Sequence, residues 1–368
     1  MSLTSIKTVK IIGAGSIGNH LAHASRTLGC DVIVTDVSQA ALDRMRTEIY
    51  PSRYGAWDDG IRLCAPGTAP RGGFDLICIG TPPEFHNALA LESLAEGPKA
   101  VQIEKPLCTP SLDGLAELVA AAAASPARVF VGYDHVVGRA ARHLGELLSQ
   151  GAIGDIATFD VEFREHWGGI FRAHPWLDGP ADSYLGFSAR GGGASGEHSH
   201  ALNFWQHLAA VLGVGPVTQV DARLHFVRAG AAYYDDLCLL TLETKAGLIG
   251  RVVQDVVAQP VKKEAVVHGA RGTLRWINGY SPSGDAVIVA ETGKEPRIQE
   301  FPKRRPDDFI EELRHIDAAL QPGAPESPMS LRRGAETMLV LAAAHESERT
   351  GRRTAVDYDI LAAAGKGR

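Results

Sequence analysis

From Thr8 to Phe130, short β-branched runs alternate with stretches of helical periodicity. Val9–Ile12, Val32–Thr35, Leu76–Ile79, Ala100–Ile103 and Val129–Gly132 read as near-continuously apolar strands. Between them lie helical segments such as Ile17–Leu28 and the alanine-rich Leu112–Ala124. Apolar strands separated by helices are what a parallel sheet covered on both faces requires. The pattern predicts a doubly wound α/β domain over residues 1–132.

After residue 133 the rhythm changes. A helix over Arg139–Leu148 leads into an alternating strand, Ala157–Phe163. Val217–Phe226, Asp236–Thr244, Gly247–Val256 and Lys263–His268 read as further strands, with Lys245-Ala-Gly as a tight turn. Strands joined by tight turns predict an open, mostly antiparallel sheet. Helices over Asp307–Leu320 and Leu331–Thr350 close an α+β domain expected over 133–368. Trp167 to Gly193, rich in Gly, Pro, Trp and His without periodicity, reads as a long ordered loop, a type that often serves function.

A chain of 368 residues has room for both domains. Its 37 basic and 43 acidic residues give a formal charge of -6. That balance offers no electrostatic reason to expect a nucleic-acid or anionic-membrane partner. No signal-peptide run opens the chain, and the longest apolar stretch, Leu115–Ala124, contains Glu117 and reads as a helix. Five dispersed cysteines without a CxxC pair fit reduced thiols and a cytoplasmic location.

Gly13-Ala-Gly-Ser-Ile-Gly18 follows a strand directly and opens a helix. In such a turn Gly13 serves the tight bend, Gly15 the close approach of a pyrophosphate, and Gly18 the packing of helix on strand. The N–H groups of Ser16, Ile17 and Gly18 would then face the pyrophosphate at the helix N-terminus. Asp36 ends the next strand at the spacing of a ribose-binding carboxylate, with Val37 and Ser38 and no basic residue after it. A carboxylate there accepts from ribose hydroxyls and repels a 2′-phosphate, so NAD is expected in preference to NADP.

Four motifs together resemble the glucose–fructose oxidoreductase and inositol dehydrogenase (Gfo/Idh/MocA) family. They are the Gly13 fingerprint, Gly80-Thr81-Pro82, Glu104-Lys105-Pro106 and Gly191-Gly-Gly193, and the likeness runs on through Gly151-Ala-Ile-Gly154 and Gly269-Ala-Arg-Gly272. The resemblance implies a Rossmann domain, a C-terminal open-sheet domain, a nicotinamide cofactor, and a sugar or cyclitol substrate. It also implies a homodimer or homotetramer formed through the open sheet. It places Lys105 at substrate and cofactor, puts Glu104, Thr81 and Pro82 in the loops beside the cofactor, and puts His86 at the start of the following helix. His86 has a plain reading as well, as a capping or packing residue.

Two departures stand out. The family pattern sets an Asp four residues before a His and another Asp three residues after it. Here His200 and Asn203 fit the second spacing, but position 196 is Gly and Glu197 is the nearest carboxylate. Tyr133-Asp134-His135 stands where the family often carries Asn and Arg, which implies a different substrate contact.

Oxidising a secondary alcohol needs a group that takes the hydroxyl proton as hydride leaves, and a group with a pKa near neutrality suits that task. His200 fits as acid/base, with Glu197 or Asn203 orienting it and Lys105 polarising the same hydroxyl, or with the two roles reversed. Asp134, His135, Trp167, Arg172, Arg190, His198, His200 and Asn203 are the expected substrate contacts. Trp faces would stack on a sugar ring, and Arg would pair with a carboxylate or phosphate. The Glu197–His200 cluster matches no known ligand spacing, so no metal is expected. An epimerase or glycosidase that recycles a tightly held NAD, or a non-catalytic dinucleotide sensor, uses the same motifs.

Overall fold

A computed structural model describes residues 2–172 and 174–364, so Met1 and 365–368, the outer ends of the two expected domains, lie outside the described residues. The first half alternates strands and helices: β1 (Thr8–Ile12), α1 (Ser16–Thr27), β2 (Asp31–Thr35), α2 (Gln39–Arg44), α3 (Tyr50–Tyr54), β3 (Ile61–Cys64), β4 (Leu76–Ile79), α4 (His86–Ala95), β5 (Ala100–Ile103), α5 (Leu115–Ala124) and β6 (Arg128–Val131). The six strands form one parallel sheet in the order β3-β2-β1-β4-β5-β6, the doubly wound arrangement. Every residue of β4 and β5 is buried, as expected of strands covered on both faces. The sequence reading missed β3, whose four residues include the exposed Arg62 and carry no apolar run.

The second half begins with α6 (Arg139–Ser149), β7 (Ile156–Arg164), α7 (Trp167–Arg172), α8 (Gly193–Glu197) and α9 (Ser199–Val211). Seven strands follow: β8 (Val217–Ala229), β9 (Ala232–Thr244), β10 (Ile249–Asp255), β11 (Lys262–Gly269), β12 (Gly272–Ser281), β13 (Gly284–Glu291) and β14 (Arg297–Pro302). Then come α10 (Asp307–Ala319), α11 (Leu331–Thr350) and the short β15 (Thr354–Ala355). The nine-stranded sheet runs β14-β13-β12-β11-β7-β10-β9-β8-β15 and is antiparallel except where β10 lies parallel to β7. The three-stranded meander β12–β14 went unpredicted because glycines and charges break its apolar alternation.

Two closing helices lock the halves together. Asp317 on α10 accepts the backbone N–H groups of Ser5 and Ile6, at 2.7 and 3.0 Å. Val131 donates its N–H to Met329 O at 2.8 Å just ahead of α11, whose residues are buried on most sides between the sheets. The expected loop over Trp167–Gly193 is ordered into α7 and three single turns around a small apolar cluster of Trp167, Ile170, Leu185, Ala194, Tyr234 and Val256. The five cysteines are buried and unbridged. Among the described residues, no helix is long and apolar enough to cross a membrane.

Candidate active site

The carboxyl ends of β1, β4, β5 and β6 open onto one crevice, where a doubly wound sheet binds its ligand. The fingerprint turn behaves as its residues demand. Gly13 sits at φ +109, and a Cβ there would press on the Gly80 carbonyl oxygen at 2.8 Å. A Cβ on Gly18 would collide with the Gly13 carbonyl, whereas one on Gly15 would meet nothing within 4 Å. The space over Gly15 is therefore free for a ligand, and α1 offers it the unpaired N–H groups of its first turn, where no acidic residue intrudes. Asp36 accepts from the Ala14 and Ser38 backbone N–H groups, both at 2.8 Å, which fixes its carboxylate at the rim of this turn. Arg53 on α3, unforeseen from sequence, donates to Ser16 O and Oγ at 2.8 Å each and brings positive charge beside the turn.

The Glu104-Lys105-Pro106 motif meets the segment that follows the glycine-rich turn. Lys105 Nζ lies 2.8 Å from the Glu197 carbonyl oxygen and 3.1 Å from Glu197 Oε2, with both side chains largely buried. Burial opposes ionisation of Glu197, but the charges of Lys105 and His198 outweigh it and hold its pKa below the ordinary value. The glycine-rich turn makes this approach possible: Gly191, at φ +89, packs so tightly on Pro83 that a Cβ would come within 2.8 Å of it. Asp235 on β9 anchors the same turn. It accepts Ser195 N–H at 2.7 Å and the Ser188 hydroxyl at 2.6 Å, and burial pushes its carboxyl up to about 7.

A third group stands at the end of β6. Asp134 Oδ1 lies 2.7 Å from His135 Nδ1 and 3.8 Å from His200 Nδ1, and the two imidazole centroids are 4.4 Å apart. Burial, followed by the neighbouring His135, holds the His200 pKa well below the ordinary value, so its ring is neutral near pH 7. Burial works against ionisation of Asp134 too, but His135 overcomes it and keeps the carboxyl well below the usual range. His198 is 3% exposed, its Nε2 has no partner, and burial with the Lys263 charge lowers its pKa to about 4.

Several of the expected contacts have partners within the protein. His86 is fully buried, with Nδ1 3.0 Å from Pro106 O and Nε2 2.7 Å from Thr81 O. It joins the backbones of two motifs. Glu104 points inward to Gln102 at 2.8 Å, and burial pushes its carboxyl up to about 7. Asn203 is buried and donates to Thr337 on α11 at 3.0 Å, because its place on α9 faces that helix and not the crevice. Trp167 is 8% exposed in the small loop core, so its ring is not free to stack on a sugar. Arg190 is held by Glu84 at 2.6 Å, whereas Arg172 is exposed. Thr81 and Pro82 do line the loop after β4, and Thr81 Oγ1 is buried without a partner. The loop also crosses the first domain, since the Arg44 guanidinium sits 5.7 Å over the Trp176 ring. Two surface clefts, of about 270 and 290 Å³, lie along α11 and α10 and contain none of these groups.

Comparison with known proteins agrees with this geometry. Residues 7–133 match the GFO_IDH_MocA oxidoreductase family with its NAD-binding Rossmann fold, and 141–275 match the GFO/IDH/MocA C-terminal domain. The chain belongs to the GFO/IDH/MocA family. Residues 7–133 are accordingly an NAD-binding Rossmann domain. No curated protein sequence matches the chain. Among solved structures it resembles an oxidoreductase from Agrobacterium radiobacter in complex with NAD+, L-tartaric acid and magnesium, at 20% identity and TM-score 0.74, over 96% of this chain and 99% of that one. It also resembles levoglucosan dehydrogenase in complex with NADH and levoglucosan, at 18% and 0.75, over 95% and 99%. A third likeness is to GenD2 from gentamicin A biosynthesis in complex with NAD, at 19% and 0.72, over 97% and 98%. At such identities these relatives speak for the family fold.

Proposed function

We propose that this oxidoreductase is an NAD-dependent dehydrogenase that acts on a secondary alcohol of a sugar, cyclitol or sugar-acid derivative. The observation that carries the reading is the Lys105 ammonium, just past the carboxyl end of β5 and held by Glu197 at 2.8 and 3.1 Å. Bound NAD supplies the hydride acceptor. Residues 13–18 and the α1 N-terminus hold its pyrophosphate, and Asp36 holds its adenosine ribose and selects against NADP. Lys105 donates to the substrate hydroxyl oxygen and stabilises the charge that develops there. The neutral His200 ring takes the hydroxyl proton, and Asp134 behind it stabilises the imidazolium. The relatives crystallised with levoglucosan and L-tartaric acid support a polyhydroxylated substrate. Homo-oligomers form through the open sheet, whose outer face exposes Leu239, Ile249 and Ile298.

The test offers sugars, cyclitols, uronates and nucleotide sugars with NAD or NADP and follows reduced-nicotinamide absorbance. Turnover with NAD that Lys105→Ala abolishes is the expected result. Silence across the panel with NAD binding intact would replace this reading with an enzyme that recycles its own NAD. Turnover with NADP alone would overturn the role of Asp36.

A further inference from the structure

We propose that Asp134, His135 and His200 form a binding site for one divalent transition-metal ion of the zinc class, open on its substrate side. One ligand atom from each lies within 4.8 Å of the other two. Two imidazoles and a carboxylate suit zinc-class ions and not magnesium or calcium, which prefer all-oxygen sites. Three protein ligands with a vacant fourth position are also the pattern of catalytic zinc sites.

A second observation points the same way. His135 Nδ1 is satisfied by Asp134 at 2.7 Å, but His200 Nδ1 is fully buried and has no hydrogen-bond partner. Its 3.8 Å separation from Asp134 is too long for a hydrogen bond. Leaving an imidazole nitrogen buried in that way is unfavourable, and a cation between the rings and the carboxylate would satisfy it. The three side chains keep 11–17% exposure, which leaves an ion a way in. Aromatic neighbours steady the rings, with Tyr133 edge-on to His200 at 5.5 Å and Phe163 beside His135 at 5.1 Å. The nearby ammonium groups do not forbid a cation, because Glu197 neutralises Lys105 and Glu165 neutralises Lys263, at 3.1 and 2.7 Å.

The inference deepens the dehydrogenase reading and rests on it for the placing of substrate. With an ion bound, His200 would be a ligand and not the free base; the ion would hold the substrate hydroxyl oxygen while hydride leaves its carbon for NAD, and the hydroxyl proton would pass to water on the open side.

The test strips the purified full-length protein with a chelator, titrates it with Zn2+ by calorimetry, and then records the visible spectrum on adding Co2+. One ion per chain and the strong absorption of a four-coordinate cobalt site are expected. Asp134→Asn and His135→Gln should each weaken Zn2+ binding at least tenfold and remove the rise in Tm that Zn2+ gives wild type. That thermal readout holds even for a variant of lower stability, and circular dichroism verifies that each is folded. Lys105→Ala should bind the ion like wild type although it fails to turn over substrate, which separates this site from the dehydrogenase reading. No saturable binding, or binding unchanged in both ligand variants, overturns the site. Full NAD-dependent turnover by protein that binds no ion would overturn it too and leave His200 as the proton acceptor. A bound ion without turnover on any substrate would instead sink the dehydrogenase reading.

Discussion

Two glycines three positions apart do different work. A Cβ on Gly18 meets backbone, while one on Gly15 meets open space that a ligand would fill. Gly15→Ala should therefore leave Tm within about 2 °C of wild type and weaken NAD binding roughly tenfold or more, a loss of about 1.4 kcal/mol. Gly18→Ala should behave in the opposite sense. Overpacking of about 1–3 kcal/mol lowers Tm at roughly 2–4 °C per kcal/mol. Melting curves and an NAD titration on both variants decide the matter, and equal effects would refute the division of labour. At Lys105 the expectation is kinetic: replacement by Ala should lower kcat about 10²–10⁴-fold while NAD affinity stays near wild type. His86, Glu104, Trp167 and Asn203 show where residue identity alone misleads. Each has the right chemistry for a site and sits in sequence beside one, but its packing partners turn it into the protein.

The element that decides the site is the pair α8–α9, which begins in the glycine-rich turn and presents Glu197 to Lys105 and His200 to Asp134. Asp235 holds that turn from a distant strand. Its pKa is raised to about 7 from an unfolded value of 3.8, so between those limits the folded state binds more protons than the unfolded one. The stability linked to this group is complete below about pH 4 and is lost as pH rises through 7. Asp235→Asn should remove that component and flatten the fall of Tm between pH 4 and 7, by on the order of 4 kcal/mol at most. An unchanged slope in the variant would show that Asp235 is ionised throughout. The rhythm of β-branched and helical runs revealed most elements of this molecule, including α11 to the residue. It failed at β3 and at β12–β14, where a short or glycine-broken strand depends on its neighbours for register and leaves little pattern of its own.

Across the whole molecule, the nine-stranded sheet is covered on one face by α6, α9 and α11, and its other face carries the exposed Leu239 and Ile249 on adjacent strands. A homodimer or homotetramer is the expected state. Light scattering after size exclusion should show a lower mass for the double variant Leu239→Lys, Ile249→Lys, with secondary structure retained. A monomeric wild type would contradict the assembly.

Sequence alone determined the two-sheet architecture and the dinucleotide turn. These follow from hydrophobic periodicity, glycine geometry and motif spacing, all of which are local properties. Only the tertiary structure decided which polar residues face the crevice. It brought Arg53 to the fingerprint turn, set Asp235 beneath the glycine-rich turn, and drew Asp134, His135 and His200 together from two separate segments. The physical reason is that facing is fixed by how helices and strands pack on distant partners, and no window of sequence contains both sides of such a contact.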